Sequence, residues 1–268
     1  MLKPKHRIFE TDKEWNDDVR DEQFSDHVFQ RVSAKNRRFT NVDFRYSTFE
    51  NCYLRNCVFD SCNFTGCRFI GTNLTGTAFS GSTFDYVQFE RTAIESDVLD
   101  TCCPALENIK SRFARSLRVN YQSLGDSVSA NKAILVELEA TRAHLYKAWS
   151  SNEAYYRKKY QGLRRLKQFL AWLNFRALDL LWGNGESPLK LGRSVLLVLI
   201  LIGIADAFAH RNPLLVTDLW QTVLYAPQVF LGTVSSPFPG LVTAAIVTIR
   251  LVMFGLFLSI LVRRFARR

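Results

Sequence analysis

The sequence predicts a multi-domain membrane protein: a stacked solenoid first, a helical connector next, and a pair of apolar helices near the C-terminus. Three observations carry this. From Phe39 to Ile94 every fifth residue is apolar, twelve in succession: Phe39, Phe44, Phe49, Leu54, Phe59, Phe64, Phe69, Leu74, Phe79, Phe84, Phe89 and Ile94. Two later stretches, Leu191 to Ala209 and Leu241 to Val262, are long and almost free of charge. The net charge of +10 is uneven, with six acidic and four basic side chains between Phe39 and Glu95 but nine basic and two acidic from Arg157 to Arg193.

The solenoid comes first. A period of five fits neither the alternation of a flat strand nor the 3.6-residue helix. A fixed short period implies coils too small to bury their own apolar face, which must lean on their neighbours. Two residues before each apolar position stands a small or β-branched one, from Val42 through Ser47, Cys52, Cys57, Cys62 and Cys67 to Thr92, with Arg37 the exception. Stretches such as CVFDSCNFTGCRFIG and TNLTGTAFSG resemble the pentapeptide-repeat family. That resemblance implies a right-handed quadrilateral β-helix, four repeats to a turn, of about three turns over residues 37–96. Phe24 and Phe29 keep the phase upstream, but Ala34 and the charged stretch around it interrupt it, so residues 1–36 read as a lead-in or cap.

Cys52, Cys57, Cys62 and Cys67 fall within one turn and invite a tetrathiolate metal reading. The repeat alone also explains them, because the inward small position takes Cys as readily as Ser or Thr, and no His accompanies them. We predict no metal and no cofactor. All six cysteines, including Cys102 and Cys103, read as reduced, which suits the cytosol.

The connector, residues 97–187, has helical periodicity with Ile134, Leu138, Leu145 and Trp149 on one face and a break at Leu124-Gly125-Asp126. The stretch from Tyr156 to Trp182 mixes Lys and Arg with Leu, Phe and Trp. It suits the headgroup layer of a membrane, with Trp172 and Trp182 at the interface, or else an ordinary soluble amphipathic helix.

The membrane module, residues 188–268, closes the chain. The opening residues MLKPKHRIFETDKEW have no apolar core, so no secretory signal is expected in them. Leu241 to Val262 is 22 residues, enough at about 1.5 Å per residue to cross about 30 Å of hydrocarbon. Basic residues flank both spans on the side that would be cytoplasmic. Both termini are therefore expected in the cytosol, and Val216 to Val234, broken by Pro227, is expected to enter and leave by the same side.

Span, short helix, extended segment, span resembles the two-transmembrane domain of the potassium-channel superfamily. Asp218-Leu219-Trp220 through Thr233-Val234 looks like its pore helix running into its filter. WGNGESPLKLGR looks like the joint between pentapeptide repeats and such a domain in bacterial membrane proteins. The resemblance implies a homotetramer in the inner membrane with a re-entrant pore helix. It makes Thr233, Val234, Ser235, Ser236, Pro237 and Phe238 the filter segment. Potassium selectivity is not carried over, because two prolines stand where a glycine-rich loop would be needed.

In the second span Thr243, Val247, Arg250 and Phe254 share one stripe and are candidates to line a path. A ring of Arg250 would favour anions. Pairing with Asp206 or a backbone carbonyl is the competing role, since an arginine inside a span costs about 2.5 to 3.5 kcal/mol on insertion scales unless it finds a partner. Gly255 is a candidate hinge or a close-packing point.

The four histidines are scattered and no nucleophile motif or phosphate loop is present, so no enzyme is expected. Imitation of DNA needs an acidic rod, whereas this one is nearly neutral, and no nucleic-acid partner is expected. The expected partners are the lipid bilayer and further copies of the chain. A non-conducting, membrane-anchored scaffold is the alternative to a channel.

Overall fold

The computed structural model describes residues 7–211 and 215–266. The chain forms two compact units, one ending at Phe169 and the other beginning at Leu170, so the expected connector is divided between them.

The first unit opens with twelve short strands: β1 (Ile8–Thr11), β2 (Glu14–Trp15), β3 (Val19–Arg20), β4 (His27–Gln30), β5 (Ser33–Lys35), β6 (Arg38–Thr40), β7 (Thr48–Glu50), β8 (Tyr53–Arg55), β9 (Val58–Asp60), β10 (Arg68–Ile70), β11 (Ala78–Ser80) and β12 (Gln88–Glu90). They stack in parallel columns, β1-β4-β7-β10-β12, β2-β5-β8 and β3-β6-β9-β11. A fourth column is made of single bridges through Gln23, Asp43, Asn63 and Thr83. Four faces to a turn is therefore the observed architecture, a β-solenoid of about 4 turns.

The corners explain why a strand stops after three residues. Two positions after each inward apolar residue the backbone turns left-handed, as at Asn41 (φ 54°), Asn51 (φ 53°) and Asn56 (φ 54°), a conformation Asn tolerates better than most residues. Glycine takes the same place in later turns. At Gly76 (φ +71°) a Cβ would also run into the side-chain oxygen of Asn56 directly beneath it.

Inside, the aromatic rings stack in register with the coils. Phe39 lies on Phe59 at 4.6 Å, Phe49 on Phe69 at 4.8 Å and Phe44 on Phe64 at 5.2 Å. These separations match the spacing of about 4.8 Å between hydrogen-bonded strands, so one geometry satisfies backbone and ring together. Each buried phenylalanine contributes about 1.5 to 3 kcal/mol.

The small inward position does more than fill space. Cys52, Cys57, Cys62 and Cys67 each turn the thiol onto a carbonyl of the preceding coil, those of Phe29 (3.3 Å), Ala34 (3.5 Å), Phe39 (3.4 Å) and Phe44 (2.8 Å). Thr72 and Thr77 donate in the same way to Phe49 and Leu54. The thiols thus act as protonated donors, and burial pushes those of Cys52 and Cys62 up to about 11.

Counting fives predicts about three turns, and the structure has one more. Strands β1 to β5 lie in the residues expected to be a lead-in. Trp15 pairs with Ala34, nineteen residues on, whereas Val19 pairs with Phe39, twenty on. One residue fewer between Trp15 and Val19 shifts the phase and hides the first turn. Ala34 does not interrupt the repeat: it is buried at its regular place opposite Leu54, and the Trp15 ring fills the space it leaves, 5.3 Å from Phe29 and 5.2 Å from Phe39.

Helices close the far end. After α1 (Val98–Thr101), helices α2 (Glu107–Ser123) and α3 (Ser127–Ser150) form a hairpin whose turn is the expected Leu124-Gly125-Asp126 break. Gly125 (φ +77°) makes the turn, and the Asp126 carboxylate caps α3 by accepting from the Ser129 N–H. Phe113 on α2 covers Phe84 and Phe89. Asn120 substitutes for the missing next coil: its amide accepts from the Thr92 N–H and donates to the Thr92 carbonyl, both at 2.8 Å. Tyr121 adds a bond from its hydroxyl to the Glu95 carbonyl. The short α4 (Ala154–Lys159) follows, and then α5 (Leu163–Trp182), which continues past Phe169.

In the second unit a 3-10 turn at Gly183–Gly185 leads into α6 (Pro188–His210), then α7 (Val216–Leu231) and α8 (Gly240–Ala266). Ser187 caps α6 through the Lys190 N–H, with Pro188 in the first turn where its missing donor costs nothing. Ile202, Ala226, Val229, Phe230, Ile246 and Met253 form the buried core of the three helices.

Candidate functional site

The helices Pro188–His210 and Gly240–Val262, 23 residues each, are long and apolar enough to cross a membrane. Their outward faces carry large apolar side chains, among them Leu197, Leu201 and Phe208 on α6 and Leu251, Phe254 and Phe257 on α8. Water would penalise such faces and hydrocarbon would not.

Between them, α7 has 16 residues. Pro227 lies inside it and Gly232 ends it in the left-handed conformation (φ +75°), with the Gly232 and Thr233 N–H groups returning to Val229 and Gln228 carbonyls. The chain then runs without helix or strand from Thr233 to Pro239. Side chains pin this segment at several points. The Tyr225 hydroxyl donates to the Ser235 carbonyl at 3.2 Å. Thr243 donates to the Ser236 hydroxyl at 2.8 Å and faces the Phe238 carbonyl at 3.1 Å. The Phe238 ring stands 5.7 Å from that of His210.

Of the residues expected to form a filter, Thr233, Val234, Ser235 and Pro237 are exposed, while Ser236 and Phe238 are half-buried against the helices. Of the expected stripe on α8, Thr243, Val247 and Arg250 turn partly inward toward neighbouring structure, and Phe254 is exposed. Gly255 also faces outward, with nothing within 4 Å of where a Cβ would stand.

Arg250 takes a backbone carbonyl. Its guanidinium reaches the Phe230 carbonyl at 3.5 Å, beside Gly232, where it sits at the negative end of α7. A side chain on Gly232 would collide with it.

Asp206 is not its partner. That carboxylate, almost fully buried on α6, binds the Arg211 Nε at 2.7 Å and lies 3.6 Å from the His210 Nδ1 and 3.5 Å from the Thr222 hydroxyl. Arg211 also donates to Gln221 and lies over the Tyr225 ring. Sequence reasoning missed this cluster. Its only linear signal is an arginine five residues after an aspartate at a helix end, where a long side chain can fold back.

Helix α5 has no buried residue. Leu163, Leu166, Leu170, Leu173, Leu180 and Leu181 lie on its exposed side, and Trp172 and Trp182 are half-buried. The leucines therefore form its outward stripe, with the two tryptophans partly covered. Lys190 holds Asp179 at 2.7 Å and Ser194 donates to the Leu181 carbonyl at 2.8 Å, which fixes the end of α5 to the start of α6.

Residues 38–76 and 62–95 match the family model for pentapeptide repeats, in eight copies. The match coincides with the regular coils and stops where the capping helices begin. No curated protein matches the chain.

Proposed function

We propose that this protein is a homo-oligomeric, channel-like membrane protein carrying a cytoplasmic pentapeptide-repeat domain. The observation that carries the reading is α7. At 16 residues it extends about 24 Å, short of the roughly 30 Å of hydrocarbon that α6 and α8 can cross. A half-length helix followed by a pinned, irregular segment is tolerated at membrane depth only where it is covered by protein or lines water. Trp220, Val223, Leu224 and Leu231 on its exposed side ask for such cover, which neighbouring copies would provide. In this reading α7 is re-entrant, both termini are cytosolic, and Thr233 to Phe238 from each copy face a common axis. The inner membrane and four copies follow from the likeness to the potassium-channel superfamily.

Arg250 places a positive charge beside Gly232 at the start of the extended segment, and this supports anion rather than cation passage. Helix α5, with its outward leucines and its basic residues, would lie in the cytoplasmic headgroup layer. No reaction is proposed.

One observation favours the second reading, a membrane-anchored scaffold that conducts nothing. Asp206 is paired with Arg211 and Arg250 turns to the Phe230 carbonyl, both within a single chain, so both charges find protein partners without a water-filled path.

Purified protein of verified oligomer mass, reconstituted in liposomes, separates the two. We expect chloride flux exceeding potassium flux, and a loss of that preference in Arg250→Gln at unchanged oligomer mass. A verified oligomer that passes neither ion leaves the scaffold as the function.

A further inference from the structure

A groove runs along the capped end of the solenoid, distinct from the membrane helices. On β10 and β12 the alternate residues Phe69 and Phe89 point inward, so Arg68, Gln88 and Glu90 point out, and all three are exposed. Helix α2 overhangs them. Phe113 and Leu117 seal the core on one side of that helix, and Arg112, Arg115 and Val119, spaced three and four apart, occupy the adjoining face. Between helix and strands lies a cleft of about 490 Å³, whose accessible apolar lining is the half-buried Ile70 and the exposed Val119.

Its charge is one-sided. Arg68 stands on the strand wall and Arg112 and Arg115 on the helix wall, against Glu90, which already faces Arg91 at 3.5 Å. Among the described residues neither Arg68 nor Arg112 makes an ion pair or a side-chain hydrogen bond. Arg115 gives its Nε to Glu137 at 2.8 Å, and its side chain remains 60% exposed, which leaves its terminal nitrogens for another acceptor. Arg68 comes from the nearly neutral rod and Arg112 and Arg115 from α2, so it is the docking of the helix that gathers three guanidinium groups around the apolar lining.

We propose that this groove binds an extended, acidic peptide segment of a partner protein. Carboxylates would meet Arg68 and Arg112 on opposite walls, and an apolar side chain would rest over Ile70 and Val119. An extended peptide presents its side chains alternately to two sides, which suits a groove with cations on each wall and an apolar lining. An inorganic anion would use none of that lining. The proposal holds whether or not the membrane helices conduct ions.

The test uses the full chain in detergent at physiological ionic strength and a fluorescently labelled short peptide alternating glutamate with leucine. Binding is read by anisotropy. We expect saturable binding that Arg68→Gln and Arg112→Gln each weaken about tenfold, the scale of one charge-assisted pair. Both side chains are exposed, so neither change endangers the fold. Arg55→Gln, on another column of the rod, should leave binding unchanged. The proposal is overturned if the peptide does not bind or if a glutamine-for-glutamate peptide binds equally well. Arg55→Gln weakening binding as much as the groove variants would overturn it too. Displacement by inorganic phosphate at the peptide's own concentration would reduce the groove to a simple anion site and also refute it.

Discussion

Replacing Asn120 with leucine should uncap the solenoid. The amide is 1% exposed and makes both of its bonds, at 2.8 Å each, to the two backbone groups of Thr92, itself fully buried. Leucine has the same branched side-chain skeleton, though bulkier, and leaves the Thr92 N–H and carbonyl without partners, at about 1 to 3 kcal/mol for each group. Part is recovered from the added apolar surface, so a net loss of about 3 kcal/mol is expected. The six cysteines offer the assay. All lie in the coils or at their capped end and none lies in α6, α7 or α8, so the reaction of the five buried thiols with an aromatic disulfide reports opening of the capped solenoid alone. Where opening is fast and reversible, a loss of about 3 kcal/mol should raise the labelling rate of Cys67 by about two orders of magnitude. An increase of less than about threefold, equivalent to under about 0.7 kcal/mol, would refute the claim that Asn120 stands in for a missing coil.

Two further outcomes follow from the same structure. Burial raises the Cys52 and Cys62 thiols from 9.0 to about 11, so the folded coils hold protons that the opened chain releases. Their contribution is then complete below about pH 9, declines as pH rises from 9 toward 11, and is constant above that; denaturant midpoints across this window should fall, and fall less in Cys62→Ser. In the second unit, Arg211→Ala leaves the buried Asp206 carboxylate without its guanidinium, at about 3 to 5 kcal/mol, whereas the double change Asp206→Asn with Arg211→Gln should recover most of that. Thermal aggregation in detergent, followed by size-exclusion chromatography, tests this. Equal loss in the single and double variants would show that the pair does not act as a unit.

Much of the solenoid was legible because its signal is additive. Twelve apolar positions in one phase reinforce one another, and stacking converts each into the same contact. The first turn escaped because one missing residue between Trp15 and Val19 displaces everything before it, and a tryptophan compensates for an alanine a turn away. Only three-dimensional neighbours reveal that exchange. The small inward position was legible as small but not as a donor, since Cys, Ser and Thr share both properties and only the carbonyl opposite shows which one matters. The corner residues carried a signal that a count of apolar positions overlooks: Asn and Gly recur at the left-handed place. In the second unit, the two long apolar helices could be read from composition. The partner of Arg250 was narrowed to a carbonyl or Asp206, and the choice turned on Arg211, whose reach back along α6 has no periodic signature.

The docking of α2 limits how this protein can change length. Because paired residues in the regular coils lie twenty apart, adding or removing twenty residues returns every column to its place beneath Asn120 and Phe113. Adding five between β10 and β12 would turn the last coil, with α2 on it, by a quarter relative to the coils beneath, carrying the arginine of β10 away from those of α2. Variation in rod length is thereby quantised in whole circuits, and a lineage could lengthen or shorten the spacer freely only in those steps.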